Sequence, residues 1–190
     1  MAVFRTKSRT FSSGVNTDHL RERLRLVHAI VLLLGTVFFV FVTAVRWGKD
    51  PQPLSAWFTG PANLINLAQM AFNLGVYVWL DRARPGRRGL DVVDVVGTLV
   101  IAGLCSAYAW AERFIPGQEH HAILAVSNLL FLRAVIVPGL PRRAVGLALV
   151  GAVISTAPLA FVSGLGWNDA TPERLLRFAF FVCWAIISLI

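Results

Sequence analysis

The feature that most constrains this chain is the recurrence of long apolar runs with few charges, each closed by a short polar or Pro/Gly-containing break, over nearly everything after residue 25. A helix rises 1.5 Å per residue, so about 20 apolar residues cross the ~30 Å hydrocarbon layer of a bilayer. The runs cover approximately 26–45, 62–80, 92–110, 122–137, 144–162 and 175–190. Composition agrees with this reading: 56% of the residues are hydrophobic and 15% charged, against an apolar share of roughly 45–50% in soluble domains. The expected fold class is all-α, an integral membrane bundle of six transmembrane helices, with residues 1–25 as a basic cytoplasmic tail.

Breakers bound most of these runs. Gly60-Pro61 precedes the second, and the Pro85-Gly86 turn with Arg82, Arg84, Arg87 and Arg88 follows it. The first run is longer than the 7–15-residue core of a signal peptide and no small-residue cleavage site follows, so it reads as an uncleaved span. Asp18, Glu22 and Arg21, Arg23, Arg25 suggest a helix that starts before the membrane, with its arginines at headgroup level. The sixth run ends at Ile190, too soon for a crossing and without a basic or aromatic closure. The sixth helix therefore reads as truncated, with the chain expected to continue.

The formal charge of +8 raises the question of nucleic acid. The basic residues lie mostly between the apolar runs and no basic-and-aromatic stripe occurs outside them, so the lipid bilayer and not nucleic acid is the expected partner. With the amino terminus inside, twelve Lys and Arg fall in inner segments and five in outer ones. That bias predicts cytoplasmic termini in a bacterial inner membrane. Trp47, Trp57, Trp110 and Trp167 fall near the expected outer interface, where indoles concentrate.

Polar residues inside the runs are the candidate functional positions, because hydrocarbon penalises every polar group it surrounds. Asn63, Asn66, Gln69 and Asn73 project within roughly 120° of one another at 100° per helical residue, forming one stripe. Such a stripe suits interhelical hydrogen bonding, or the lining of a site for a small polar ligand or ion. Asp94, near the start of the third run, can reach Arg133, near the end of the fourth, as an ion pair. The alternatives are that Asp91 caps its helix and that Arg133 snorkels to the interface. His28 reads as an interface residue at the inner end of the first run. His120 and His121 lack a third ligand at a supporting spacing, so no metal site is expected. Cys105 and Cys183 lie inside apolar runs and read as small hydrophobes. Gly146, Ala148, Gly151 and Ala152 offer a close-packing surface, with Gly151 and Ser155 as a small-xxx-small pair and Pro158 as a kink. A homodimer through these helices is an expectation of that pattern.

No Gly-rich phosphate loop, G-x-S-x-G, H-E-x-x-H or C-x-x-C occurs, so neither catalytic residues nor a cofactor is expected within this segment.

Residues 122–162 read AILAVSNLLFLRAVIVPGLPRRAVGLALVGAVISTAPLAFV. An apolar helix ends in Val137-Pro138, a tight connection contains Pro141-Arg142-Arg143, and a small-residue helix carries Ser155-Thr156-Ala157-Pro158. This stretch resembles the amino-terminal membrane region of bacterial eukaryotic-like serine/threonine protein kinases of the kind common in myxobacteria. The resemblance implies a kinase domain after the last span, with ATP and Mg bound only there, and none of that family's catalytic residues falls within residues 1–190. The expected role is a membrane anchor and sensor module of a signalling protein. The membrane domain of a nucleotide cyclase or histidine kinase would share the layout, and a small transporter or channel subunit is the reading from another class. A transporter would be expected to show an internal repeat, and none is evident.

Overall fold

The structure is a computed structural model that describes residues 13–49, 51, 53–112, 118–137, 145–147, 149–151 and 153–154. Among these the secondary structure is entirely helical: α1 (Ser13–Lys49), α2 (Leu54–Thr59), α3 (Pro61–Ala83), α4 (Arg87–Ala111) and α5 (Gln118–Ile136), with further helical residues at 145–147, 149–151 and 153–154. Four of the five pack as an up-and-down bundle. α1 lies against α3, α3 against α4 and α4 against α5, while α1 also touches α4 and α5.

α1 is longer than the first apolar run. Residues 13–25, the end of the basic tail where a helix start is expected ahead of the membrane, continue the helix outward from the hydrocarbon-length stretch as far as Ser13. Leu20 and Leu24 explain this, since they extend the face that carries Val27 and Val31 into the core. An Asp18–Arg21 ion pair at 2.9 Å supports the exposed side of the same turn. The residues between α1 and α3 hold the short α2, whose Phe58 ring rests 6.3 Å from that of Phe39.

α3 starts on Pro61, whose missing N–H is no loss in a first turn. It ends at Arg84, which adopts the left-handed conformation at φ 43°. Pro85 and Gly86 then reverse the chain within three residues of the helix end, and α4 starts at Arg87 with no side-chain cap. Asp91 is therefore not a cap. It sits within the helix, one turn past the start, and pairs with Arg87 at 3.5 Å.

Polar side chains share the interior with the apolar core, and large apolar side chains stand on the exterior. His28, Asn63, Asn73, Asp94, Thr98, Ser106, Glu112 and Arg133 are buried, whereas Leu33, Val40, Phe41, Phe131 and Val135 stand 59–66% exposed. The buried apolar core is a narrow seam that includes Leu24, Val27, Val31, Leu80, Leu90, Ile101 and Leu129. Thr17–Lys49 and Arg87–Ala111 are the two stretches, among the described residues, long and apolar enough to cross a membrane. α3 has a similar length, but its four amides lower its apolarity, and the apolar part of α5 spans only Leu124–Ile136.

Candidate functional site

The site is built outward from Asn73, a fully buried amide on α3. Its Nδ2 donates to the carbonyl of Gln69, one turn back, at 2.8 Å. Its Oδ1 is left to accept, and His28 Nδ1 of α1 lies 2.8 Å away. The pairing assigns the ring proton to Nδ1, because an amide oxygen cannot donate. His28 is only 3% exposed, so it is not the interface residue expected from its position near the end of the apolar run. Its other edge fits against Gly97 of α4: a Cβ there would meet Cε1 at 3.1 Å and Nε2 at 3.2 Å. Glycine is what lets α4 approach the ring.

Asp94 lies one turn before Thr98 on the same helix. Arg133 of α5 donates to both of its oxygens, Nε to Oδ1 at 2.7 Å and Nη2 to Oδ2 at 2.6 Å. Both side chains are 4% exposed. Arg133 thus does not snorkel. The planar fork matches the carboxylate in two parallel bonds, which is the geometry that recovers most of the cost of burying both charges. Thr98 donates to the Asp94 carbonyl at 2.6 Å, completing a polar layer contributed by all four bundle helices.

One turn nearer the α3–α4 connection, Arg25 donates to Tyr77 at 3.2 Å, lies over its ring at 4.9 Å and pairs with Asp81 at 2.9 Å. At the opposite end of the bundle, Arg46 of α1 pairs through both terminal nitrogens with Glu112, the residue that closes α4. Phe38 meets Tyr108 edge-on with centroids 5.9 Å apart, and Tyr108 and Asn66 border the same space.

Between the polar layer and the Arg46–Glu112 pair lies a half-open cavity of about 500 Å³ bordered by α1, α3, α4 and α5, with the exposed Leu34, Leu124 and Phe131 at its rim. Asn66, Gln69, Tyr108 and Asn128 supply its polar groups and its other walls are largely apolar. The amide stripe on α3 is therefore divided. Asn73 belongs to the buried layer and Asn63 is buried towards the start of α3, while Asn66 and Gln69 border the cavity. Gln69 also accepts a weak contact from the free thiol of Cys105 at 4.0 Å.

Gly151 faces Leu130 of α5, where a Cβ would stand 3.3 Å from Cδ1, so its small size serves packing within the chain. Ser155 and Pro158 lie outside the described residues, as do Cys183 and Trp167. Trp47 and Trp110 are half-exposed at the α2 end of the bundle. Sequence reasoning missed His28 as the partner of Asn73, and it missed the contacts of Gly97, Tyr108 and Glu112. One signal was available for His28: it stands four residues after Leu24 and three before Val31, on the core-facing side of α1.

Among the described residues no three His, Cys, Asp or Glu side chains gather as a metal-ligating set. The arrangement is one of paired charges and oriented amides inside an apolar exterior, which defines a helical bundle with membrane-length elements. No family model, characterised protein or solved structure compared with the chain matches it.

Proposed function

We propose that this chain is the membrane domain of a larger signalling protein, anchoring and regulating a serine/threonine protein kinase domain that follows residue 190. In this reading six helices cross a bacterial inner membrane with both ends in the cytoplasm, and ATP and Mg belong to the downstream domain. The observation that carries the membrane part is the bare Leu, Val and Phe exterior beside buried, paired polar groups such as Asp94 and Arg133. Water would penalise that exterior, whereas hydrocarbon satisfies it and makes paired interior polar groups mandatory.

The spacing of the ion pairs supports the same reading. Arg25 and Arg46 are 21 positions apart on one helix, about 31 Å at 1.5 Å per residue, close to the ~30 Å of a hydrocarbon core. Each is paired, to Asp81 and to Glu112 respectively, and the residues between them on α1 carry no charge apart from the titratable His28. The kinase part rests on the resemblance over residues 122–162 alone.

Reporter fusions after residues 86 and 116 test the topology. A cytoplasmic signal at 86 and an external one at 116 are expected, and an external signal at 86 overturns it. The coding sequence beyond residue 190 tests the output domain. A G-x-G-x-x-G loop followed by a lysine in a strand pattern is expected, and a stop codon soon after Ile190 removes the kinase.

A further inference from the structure

We infer that the cavity between α1, α3, α4 and α5 is a binding site for a neutral, lipid-soluble molecule with a carbonyl or hydroxyl head on an apolar body. Its volume of about 500 Å³ falls within the ~300–1,000 Å³ usual for small-molecule sites. The inference rests on the membrane reading above, because the ligand is taken to arrive from the hydrocarbon.

The chemistry of the lining selects the ligand class. None of the lining residues is charged. The flanking arginines and carboxylates are already committed, Arg133 to Asp94 and Arg46 to Glu112. A carboxylate, phosphate or ammonium head would enter without a counter-charge, at a cost that burial magnifies. The polar groups present are amides and a phenol, which recognise neutral carbonyls and hydroxyls.

Two of these groups have spare hydrogen-bonding capacity. Asn128, an exposed residue of α5, stands at the open side of the cavity, and its side chain has no hydrogen-bond partner among the described residues. The Gln69 side chain has, among the described residues, only the weak thiol contact with Cys105. Amides placed in an apolar wall without full partners are where a ligand head gains most, since no water competes there. Gly35 adds space on the facing wall, as a Cβ built at this position meets nothing within 4 Å.

Photolabelling of the full 190-residue chain in lipid nanodiscs tests the site, with benzophenone, a neutral diaryl ketone, as the label and mass spectrometry locating the adducts. Labelling is expected on the α5 stretch around residues 124–132. A short-chain isoprenyl benzoquinone and dioctanoylglycerol are the neutral competitors, decanoate and dodecyltrimethylammonium the charged ones. At least one neutral competitor should protect the stretch and neither charged one should. Protection by the quinone alone or by the glyceride alone identifies the source of the head group.

Gly35→Leu, which the open space accommodates, should abolish the labelling. Asn128→Leu should weaken protection at least tenfold. Labelling no stronger than at lipid-facing Val135, protection by decanoate equal to that by the neutral competitors, or full labelling of Gly35→Leu each overturns the inference. Flotation with liposomes separates the two readings. A chain that does not float refutes the membrane reading and this inference with it, whereas one that floats but does not label refutes only the site.

Discussion

The two halves of the bundle handle buried polarity in opposite ways. Near the α3–α4 connection, His28, Asn73, Asp94, Thr98 and Arg133 find partners in one another, and the helices close around them. Toward α2, Asn66, Gln69 and Asn128 are spread around a cavity of about 500 Å³, and the strong ionic contact is displaced to the end of the bundle at Arg46–Glu112. Mutual pairing of His28 with Asn73 and of Asp94 with Arg133 in the first half gives a tight cross-brace. Incomplete pairing in the second leaves room and hydrogen-bonding capacity. Polar content is similar in the two halves, so the distinction lies in whether the groups meet.

The sharpest way to break this contrast is to remove one end of the brace. Arg133→Leu leaves the Asp94 carboxylate buried without its partner, at an expected cost of about 3–5 kcal/mol. Unfolding of the purified chain by increasing denaturing detergent would measure it. The double variant Asp94→Leu with Arg133→Leu should recover most of that loss, and a double variant as unstable as the single would show that the pair is not the source.

A smaller effect is expected where α4 approaches His28. Gly97→Ala places a methyl 3.1–3.2 Å from the imidazole, and overpacking of this kind costs about 1–3 kcal/mol. The penalty should shrink in a His28→Ala background, and a double-mutant cycle in the same assay checks this coupling.

In the cavity half the effects should be weaker. Tyr108→Phe deletes one hydroxyl that borders the cavity beside Asn66, and interhelical polar contacts average about 0.6 kcal/mol in membranes. A loss comparable to that of Arg133→Leu would erase the distinction between the halves.

The smallest expected change is a gain. Arg84 holds a left-handed backbone with a side chain that disfavours it, so Arg84→Gly should stabilise by at most about 1 kcal/mol, seen as a slightly later unfolding midpoint.

Much of the architecture was readable because it depends on local chemistry. The helical runs at 26–45, 62–80 and 92–110 lie within α1, α3 and α4, and the Pro85-Gly86 break falls at the turn. The helix start expected ahead of the first run is present and reaches back to Ser13, because Leu20 and Leu24 extend the core face. The difference came at α4, where Asp91 cannot cap a helix that starts at Arg87. The site was less legible. The amide stripe on α3 follows from 100° spacing, yet nothing in that spacing says that Asn73 faces a histidine while Gln69 borders a cavity.

The sequence by itself determined that the chain is helical and apolar, and where its charges interrupt it, because these are properties of residues taken a few at a time. Only the tertiary structure decided which polar groups are satisfied. Asp94 and Arg133 are 39 residues apart and His28 and Asn73 are 45 apart. Whether such groups pair depends on helix rotation and on an approach that Gly97 permits. A shift of one residue on any helix turns a side chain by about 100° and would exchange a bonded partner for the exterior.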